Sequence, residues 1–116
     1  MASHIPKPGN PVRGSRSGKP IMALFDLLGR SWALGVIWQL SRGPMTFRQI
    51  QDSCEKVSPT VLNSRLKELT ASGLVGRGGT GYQLTARGLE LFELLRPFGA
   101  WSARWAEGLA VDGLDR

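Results

Sequence analysis

After residue 20 the apolar positions recur mostly with helical spacing, and the breaks between runs carry residues that start or stop helices. Ile21 to Leu28 is a short apolar run closed by Gly29, a residue suited to a helix C-terminus. Ser31 is placed as N-cap of a second helix, Trp32 to about Ser41. Its Trp32, Leu34, Val36, Ile37, Trp38 and Leu40 are apolar nearly all round, so it is expected to be central and buried. Gly43-Pro44 ends it. Thr46-Phe47-Arg48-Gln49 has the form of a capping box, with Gln49 set to reach back to the Thr46 backbone. In that third helix Phe47, Ile50 and Cys54 share a face at i, i+3, i+7, while Arg48, Gln49 and Gln51 face elsewhere. Cys54 is therefore expected as a small buried hydrophobe rather than a reactive thiol.

Ser58-Pro59 opens a fourth helix, with Ser as N-cap and Pro at the first helical position, running to Ser72 and stopping at Gly73. Leu62, Leu66 and Leu69 make its core stripe, and at 100° per residue Thr60, Asn63, Ser64 and Lys67 fall opposite. Leu74-Val75-Gly76-Arg77 and Gly81-Tyr82-Gln83-Leu84 read as two short strands around Gly78-Gly79-Thr80. Thr85 caps a long last helix with a broad apolar face of Leu91, Leu94, Leu95, Phe98, Trp101 and Trp105. Pro97 is expected to kink it. The residues after Leu109 are polar and expected to fray.

Composition narrows the function. The 116 residues suit one domain and are too few for a (β/α)₈ barrel of ~250. A formal net charge of +6 favours an anionic partner, and the excess is local. Residues 1–20 carry +4, with Lys7, Arg13, Arg16 and Lys19 and no acid. Residues 42–88 carry another +4, whereas residues 89–116 carry −2. Residues 1–19 are rich in Pro, Gly and Ser and are expected as a flexible basic arm. The domain proper spans 20–109, and 110–116 is a frayed tail. One cysteine, Cys54, and one histidine, His4, allow neither an intrachain disulfide nor a His/Cys zinc site. No apolar run approaches the ~18 residues that span a bilayer. No apolar stretch follows the N-terminal basic residues as in a signal peptide. The expectation is a cytoplasmic protein without membrane contact. Gly76 to Gly81 is Gly-rich, but no helix follows it directly as a phosphate loop requires. With no nucleophile set or carboxylate pair, no enzyme and no cofactor are expected.

The order helix, helix, helix, helix, hairpin, helix is that of a winged helix-turn-helix. The fold expected is mainly α, about five helices with a two- to three-stranded antiparallel sheet. The Glu55-Lys56-Val57 connection is short enough for helix-turn-helix geometry. An α-helix fits the DNA major groove, and the fourth helix has the apolar back and polar front this requires. The candidate DNA-binding residues are Arg48, Gln49, Ser58, Thr60, Asn63, Ser64, Lys67, Arg77 and Thr80, with Arg65 and Arg87 as further bases around the stripe.

Several ordered segments carry a family resemblance. They are Asp26-Leu27-Leu28-Gly29-Arg30-Ser31-Trp32, Leu40 to Phe47, Val57 to Leu69, Gly73-Leu74-Val75, and Tyr82 to Gly88. With this spacing the chain resembles the HxlR-type winged-helix transcriptional regulators, relatives of MarR and ArsR proteins, over roughly residues 20–105. The resemblance implies a homodimer made by the first and last helices, with the fourth helix reading a pseudo-palindromic double-stranded DNA site. It places Met22, Phe25, Leu28, Leu91, Leu94, Leu95, Phe98, Trp101 and Trp105 at the dimer interface. It also leaves room for an unidentified small-molecule effector in an apolar cavity between helices. Three positions depart from the pattern. Lys19-Pro20 stands where many members have Cys-Pro, so a redox role there has no residue to carry it. Ser31 replaces a basic residue before Trp32. The wing loop is reduced to Gly78-Gly79-Thr80. The rival reading is a winged-helix protein–protein module without specific DNA binding, since fold does not dictate function.

Overall fold

The computed structural model describes residues 5–114. Pro20, Pro59 and Pro97 each take a first-turn helical position, where a missing N–H costs nothing. The helices are α1 (Pro20–Leu28), α2 (Ala33–Leu40), α3 (Phe47–Ser53), α4 (Pro59–Ala71), α5 (Ala86–Leu95) and α6 (Pro97–Val111), with strands β1 (Val75–Gly78) and β2 (Gly81–Leu84) between α4 and α5. This is the mainly helical winged-helix architecture anticipated. Among the described residues no single helix is long and apolar enough to cross a membrane.

The core gathers one face of each of α2 to α5 and one side of the hairpin. Val36 and Ile37 of α2, Ile50 of α3, and Leu62 and Leu69 of α4 are wholly buried. Leu27 of α1 joins them, with Leu40, Cys54, Val57, Leu66, Leu74, Val75, Leu84, Phe92 and Leu95. Each such aliphatic or aromatic side chain contributes on the order of 1.5–3 kcal/mol by leaving water.

Local chemistry sets the helix starts. The Thr46 hydroxyl accepts from the Gln49 amide (3.1 Å) while Gln49 Oε1 accepts from the Thr46 amide (2.9 Å), so both halves of the capping box form. Ser58 Oγ accepts from the Val61 amide (3.1 Å). Thr85 Oγ1 accepts from the Gly88 amide (3.0 Å) and donates to the Gly73 carbonyl (2.6 Å), tying α5 to the end of α4. At α2 the expected cap is corrected. Trp32, not Ser31, holds the N-cap position, in the left-handed region at φ 68°, and no side chain caps the helix. The indole folds back over Gly35, where a Cβ would lie 2.6 Å from the ring. Packing that ring against the core outweighs a serine hydroxyl bond worth ~1 kcal/mol.

The α3–α4 turn is tight. Glu55 (φ 55°) and Lys56 (φ 58°) are both left-handed without being glycine. Three bonds hold them there: Lys56 N–H to Gln51 O (2.8 Å), Val57 N–H to Cys54 O (3.0 Å), and Gln51 Nε2 to Val57 O (3.0 Å). β1 and β2 pair antiparallel from Val75↔Leu84 to Gly78↔Gly81, leaving Gly79-Thr80 as a two-residue turn. Met45 adds a third, single-bridge strand by exchanging both bonds with Tyr82 (2.9 and 2.8 Å).

The last helix is two helices, since Pro97 starts α6 rather than bending one continuous element. α6 runs through Val111, two residues beyond the expected end, and buries none of its side chains. Residues 5–19 fold back on the domain rather than extending from it. Gly9 N–H bonds Gly18 O (2.8 Å), Val12 bridges Ser15, and the Arg13 amide bonds Asp26 of α1 (3.0 Å). His4 lies outside the described residues.

Gly88 lets α5 pass against the connection between α4 and β1, because a Cβ there runs into the Leu74 carbonyl oxygen. Gly88→Ala is expected to lower unfolding stability by about 1–3 kcal/mol in urea titration. Gly108→Ala, at an open helical position of α6, is expected to raise it by about 0.5–1 kcal/mol.

Candidate nucleic-acid interface

The seating of α4 decides which of its residues meet solvent. With Leu62, Leu66 and Leu69 in the core, Thr60, Asn63 and Lys67 stand exposed on the other side and Ser64 is half-buried at the edge. This stripe presents short polar groups and one long base, without a carboxylate. Ser58 and Gln49 are exposed too, but their side-chain oxygens are engaged in capping. Arg48 is exposed on α3, and Thr80 on the wing tip. Arg77 is exposed on β1 with its guanidinium over the Tyr82 ring, 4.8 Å from the centroid. The wing and the start of α3 share a shallow groove lined by Thr46, Phe47, Gln49, Arg77 and Thr80.

Arg65 is not a free base beside the stripe. Its Nη1 donates to Glu68 Oε1 (2.9 Å), and Glu68 Oε2 accepts from Arg30 Nη1 (2.9 Å). Arg87 is exposed but lies over Gly73, on the side where Pro6 and Lys7 pack. Sequence reasoning missed the Arg30–Glu68 link. The spacings Asp26/Arg30 and Arg65/Glu68 are visible helix pairings, but nothing local signals a contact across 38 positions.

A second surface differs in character. Phe25 and Leu94 are exposed, as are Phe98, Trp101 and Trp105, each more than half accessible. Met22, Leu28 and Leu91 are half-buried, whereas Leu95 belongs to the protomer core. The Trp101 and Trp105 rings stack at 5.9 Å, 16° apart. With Trp38, which meets Phe92 edge-on, and Phe98 they line an apolar groove of about 740 Å³.

Two helices joined by a tight turn, a polar outward stripe and a two-stranded wing form the helix-turn-helix constellation. Residues 27–109, well over half of the chain, match the HxlR-like helix-turn-helix model. The chain belongs to the HxlR-like helix-turn-helix family. Membership in this HxlR-like family makes it a DNA-binding protein of the transcription-regulator class.

It is 29% identical over 90 residues to an uncharacterized HTH-type transcriptional regulator of Methanocaldococcus jannaschii, covering 74% of this chain and 85% of that one. It is 31% identical over 90 residues to the HTH-type transcriptional regulator YodB of Bacillus subtilis, covering 72% and 80%. Quinone-bound YodB superposes with a TM-score of 0.66 at 32% identity, over 72% of this chain and 96% of YodB. A MarR-family regulator from Enterococcus faecalis, 24% identical with a TM-score of 0.66 over 78% and 88%, shares the fold.

Cys54, the single cysteine, lies apart from both surfaces, fully buried at the end of α3. Burial, helped by the Glu55 charge, pushes its thiol above the ordinary value of 9.0. The folded chain therefore keeps a proton that the unfolded chain loses near pH 9. Its contribution to stability is complete below that pH and declines as pH rises through the raised folded value. Urea midpoints across pH 8–10.5 are expected to fall more steeply in the wild type than in Cys54→Ala. Iodoacetamide at pH 8 is expected to label the native thiol at least about tenfold more slowly than the unfolded one.

Proposed function

We propose that this protein regulates transcription as a homodimer that places α4 of each protomer in the major groove of a pseudo-palindromic DNA site. The observation that carries this reading is the exposed Thr60–Asn63–Lys67 stripe directly behind a buried leucine seam. Asn63 has the paired donor and acceptor that match adenine, and Lys67 reaches guanine acceptors or a phosphate. Arg48 and Arg77 supply phosphate contacts on either side, and the α4 N-terminus offers backbone N–H groups to another. The basic residues of the N-terminal segment add affinity without sequence preference, by counterion release.

The homodimer is supported by the exposed apolar surface of α1 and α6. Phe98, Trp101 and Trp105 stay more than half accessible in a single protomer, and α6 buries nothing. A contiguous aromatic patch of this kind marks an interaction surface. The charge map agrees: the bases cluster before residue 88, and the last segment is net acidic. A protein–protein module predicts weak, salt-insensitive contact with random duplex; a DNA reader predicts a steep salt dependence.

Titrations of each variant on cognate and random duplex at one salt concentration test the reader. Asn63→Ala is expected to cost about 1–3 kcal/mol on the cognate site and little on random DNA, whereas Arg77→Ala weakens both about equally. An unchanged cognate-to-random ratio for Asn63→Ala and Lys67→Ala together removes α4 as the reader. Sedimentation at micromolar concentration is expected to show a dimer, converted to monomer by Trp101→Glu with Trp105→Glu. A wild-type monomer there contradicts the proposal.

A further inference from the structure

Four charged side chains meet between α1 and α4, in a place where leucines would serve stability as well. Their side-chain exposures are 4% for Asp26, 7% for Arg30, 9% for Glu68 and 15% for Arg65. Glu68 receives one guanidinium on each oxygen: Arg30 Nη1 donates to Oε2 (2.9 Å) and Arg65 Nη1 to Oε1 (2.9 Å). Arg30 Nε in turn reaches Asp26 Oδ1 of α1 (3.4 Å), and Asp26 Oδ2 accepts from the Arg13 backbone amide (3.0 Å). The chain of contacts therefore runs from residue 13 through α1 and the α1–α2 connection into α4.

Stability alone does not account for this arrangement. Taking charges out of water costs several kcal/mol per ion, and packed apolar residues often do as well or better. The set is not even fully satisfied, because buried Arg65 Nε has no acceptor among the described residues. What charge-assisted hydrogen bonds add is direction. The leucine seam of α4 is attractive but non-directional, and tolerates small rotation and sliding of the helix. Glu68 does not, because Arg30 of the α1–α2 connection holds its Oε2, while Arg65, on α4 itself, holds Oε1 and so fixes how the carboxylate is presented. It also follows Lys67 of the outward stripe, and Arg65 follows Ser64, so holding these two side chains holds the stripe. At the other end, Asp26 is next in sequence to Phe25, an exposed apolar residue of α1.

Resting on the dimer and reading-helix assignments above, we infer that Asp26, Arg30, Glu68 and Arg65 are positioning residues that set α4 relative to α1. In a dimer that geometry fixes the distance and rotation between the two reading helices, and so the spacing of half-sites the protein accepts. None of the four touches DNA in this role.

One added base pair moves a half-site by about 3.4 Å and about 35° around the duplex. The test uses the duplex that the wild-type protein selects from a random pool, together with the same duplex lengthened or shortened by one base pair between its half-sites. The wild type is expected to lose roughly tenfold or more in affinity on either altered spacing. Arg30→Met with Glu68→Gln removes one charge of each sign and leaves Arg65 an acceptor. This variant is expected to lose less than about threefold between spacings, with random-duplex affinity at the same salt unchanged. A merely stabilising role would lower the melting temperature but leave the spacing preference whole, and that result overturns the inference. If the paired variant does not fold, Asp26→Asn, which keeps an acceptor for Arg30, is measured in the same way. A reduced preference there supports the inference and a full one overturns it. A wild type indifferent to spacing refutes the dimeric reading first and the relay with it, while a spacing-sensitive wild type separates the two questions.

Discussion

Leu62, Leu66 and Leu69 of α4 pack against Val36 and Ile37 of α2 and Ile50 of α3, and this seam determines the rest of the molecule. Once those three leucines are dry, the 3.6-residue period leaves no choice about which side chains face water. The seam also explains the strain in the turn before it. To bring α4 across α3 in the short connection between Ser53 and Pro59, Glu55 and Lys56 adopt left-handed backbone that costs ~1–2 kcal/mol per residue outside glycine. Hydrogen bonds from Gln51 and Lys56 and the burial of Val57 hold them in place. The wing is positioned by the same core, since Val75 and Leu84 are buried while Arg77 and Thr80, farther out along the hairpin, are exposed.

Two surfaces of opposite character result. One is polar and basic, carried by rigid elements and suited to a phosphate-lined groove. The other is aromatic, carried by α6, a helix that contributes nothing to the protomer core. The buried pairs Asp26–Arg30 and Arg30–Glu68 link the end of α1 to α4. The last segment is net acidic, in contrast to the basic stretch that carries α4 and the wing.

Most of the fold was legible because its signals are local. The capping box at Thr46, Ser58-Pro59, Thr85 and the leucine period of α4 each involve residues within one or two turns, and all appear as expected. The features not legible depend on tertiary choice. Ser31 has the right chemistry for a cap, yet Trp32 gains more by packing than the hydroxyl gains by bonding. Leu95 shares the pattern of Leu91 and Leu94 but falls on the inner side once Pro97 redirects the chain into α6. Arg65 looks like one more base near the stripe until Glu68, buried beside it, claims it. Composition suggests a free arm for residues 1–19, whereas amides among the described residues 5–19 find partners on one another and on Asp26.

Methylation interference on the selected duplex tests most directly whether the outward face of α4 enters the major groove. Dimethyl sulfate marks guanine N7 in the major groove and adenine N3 in the minor groove. N7 methylation is expected to abolish binding at two clusters of guanines about one helical turn, ~34–36 Å, apart, with adenine N3 methylation tolerated between them. Interference confined to adenine N3, or none at any guanine, would contradict it.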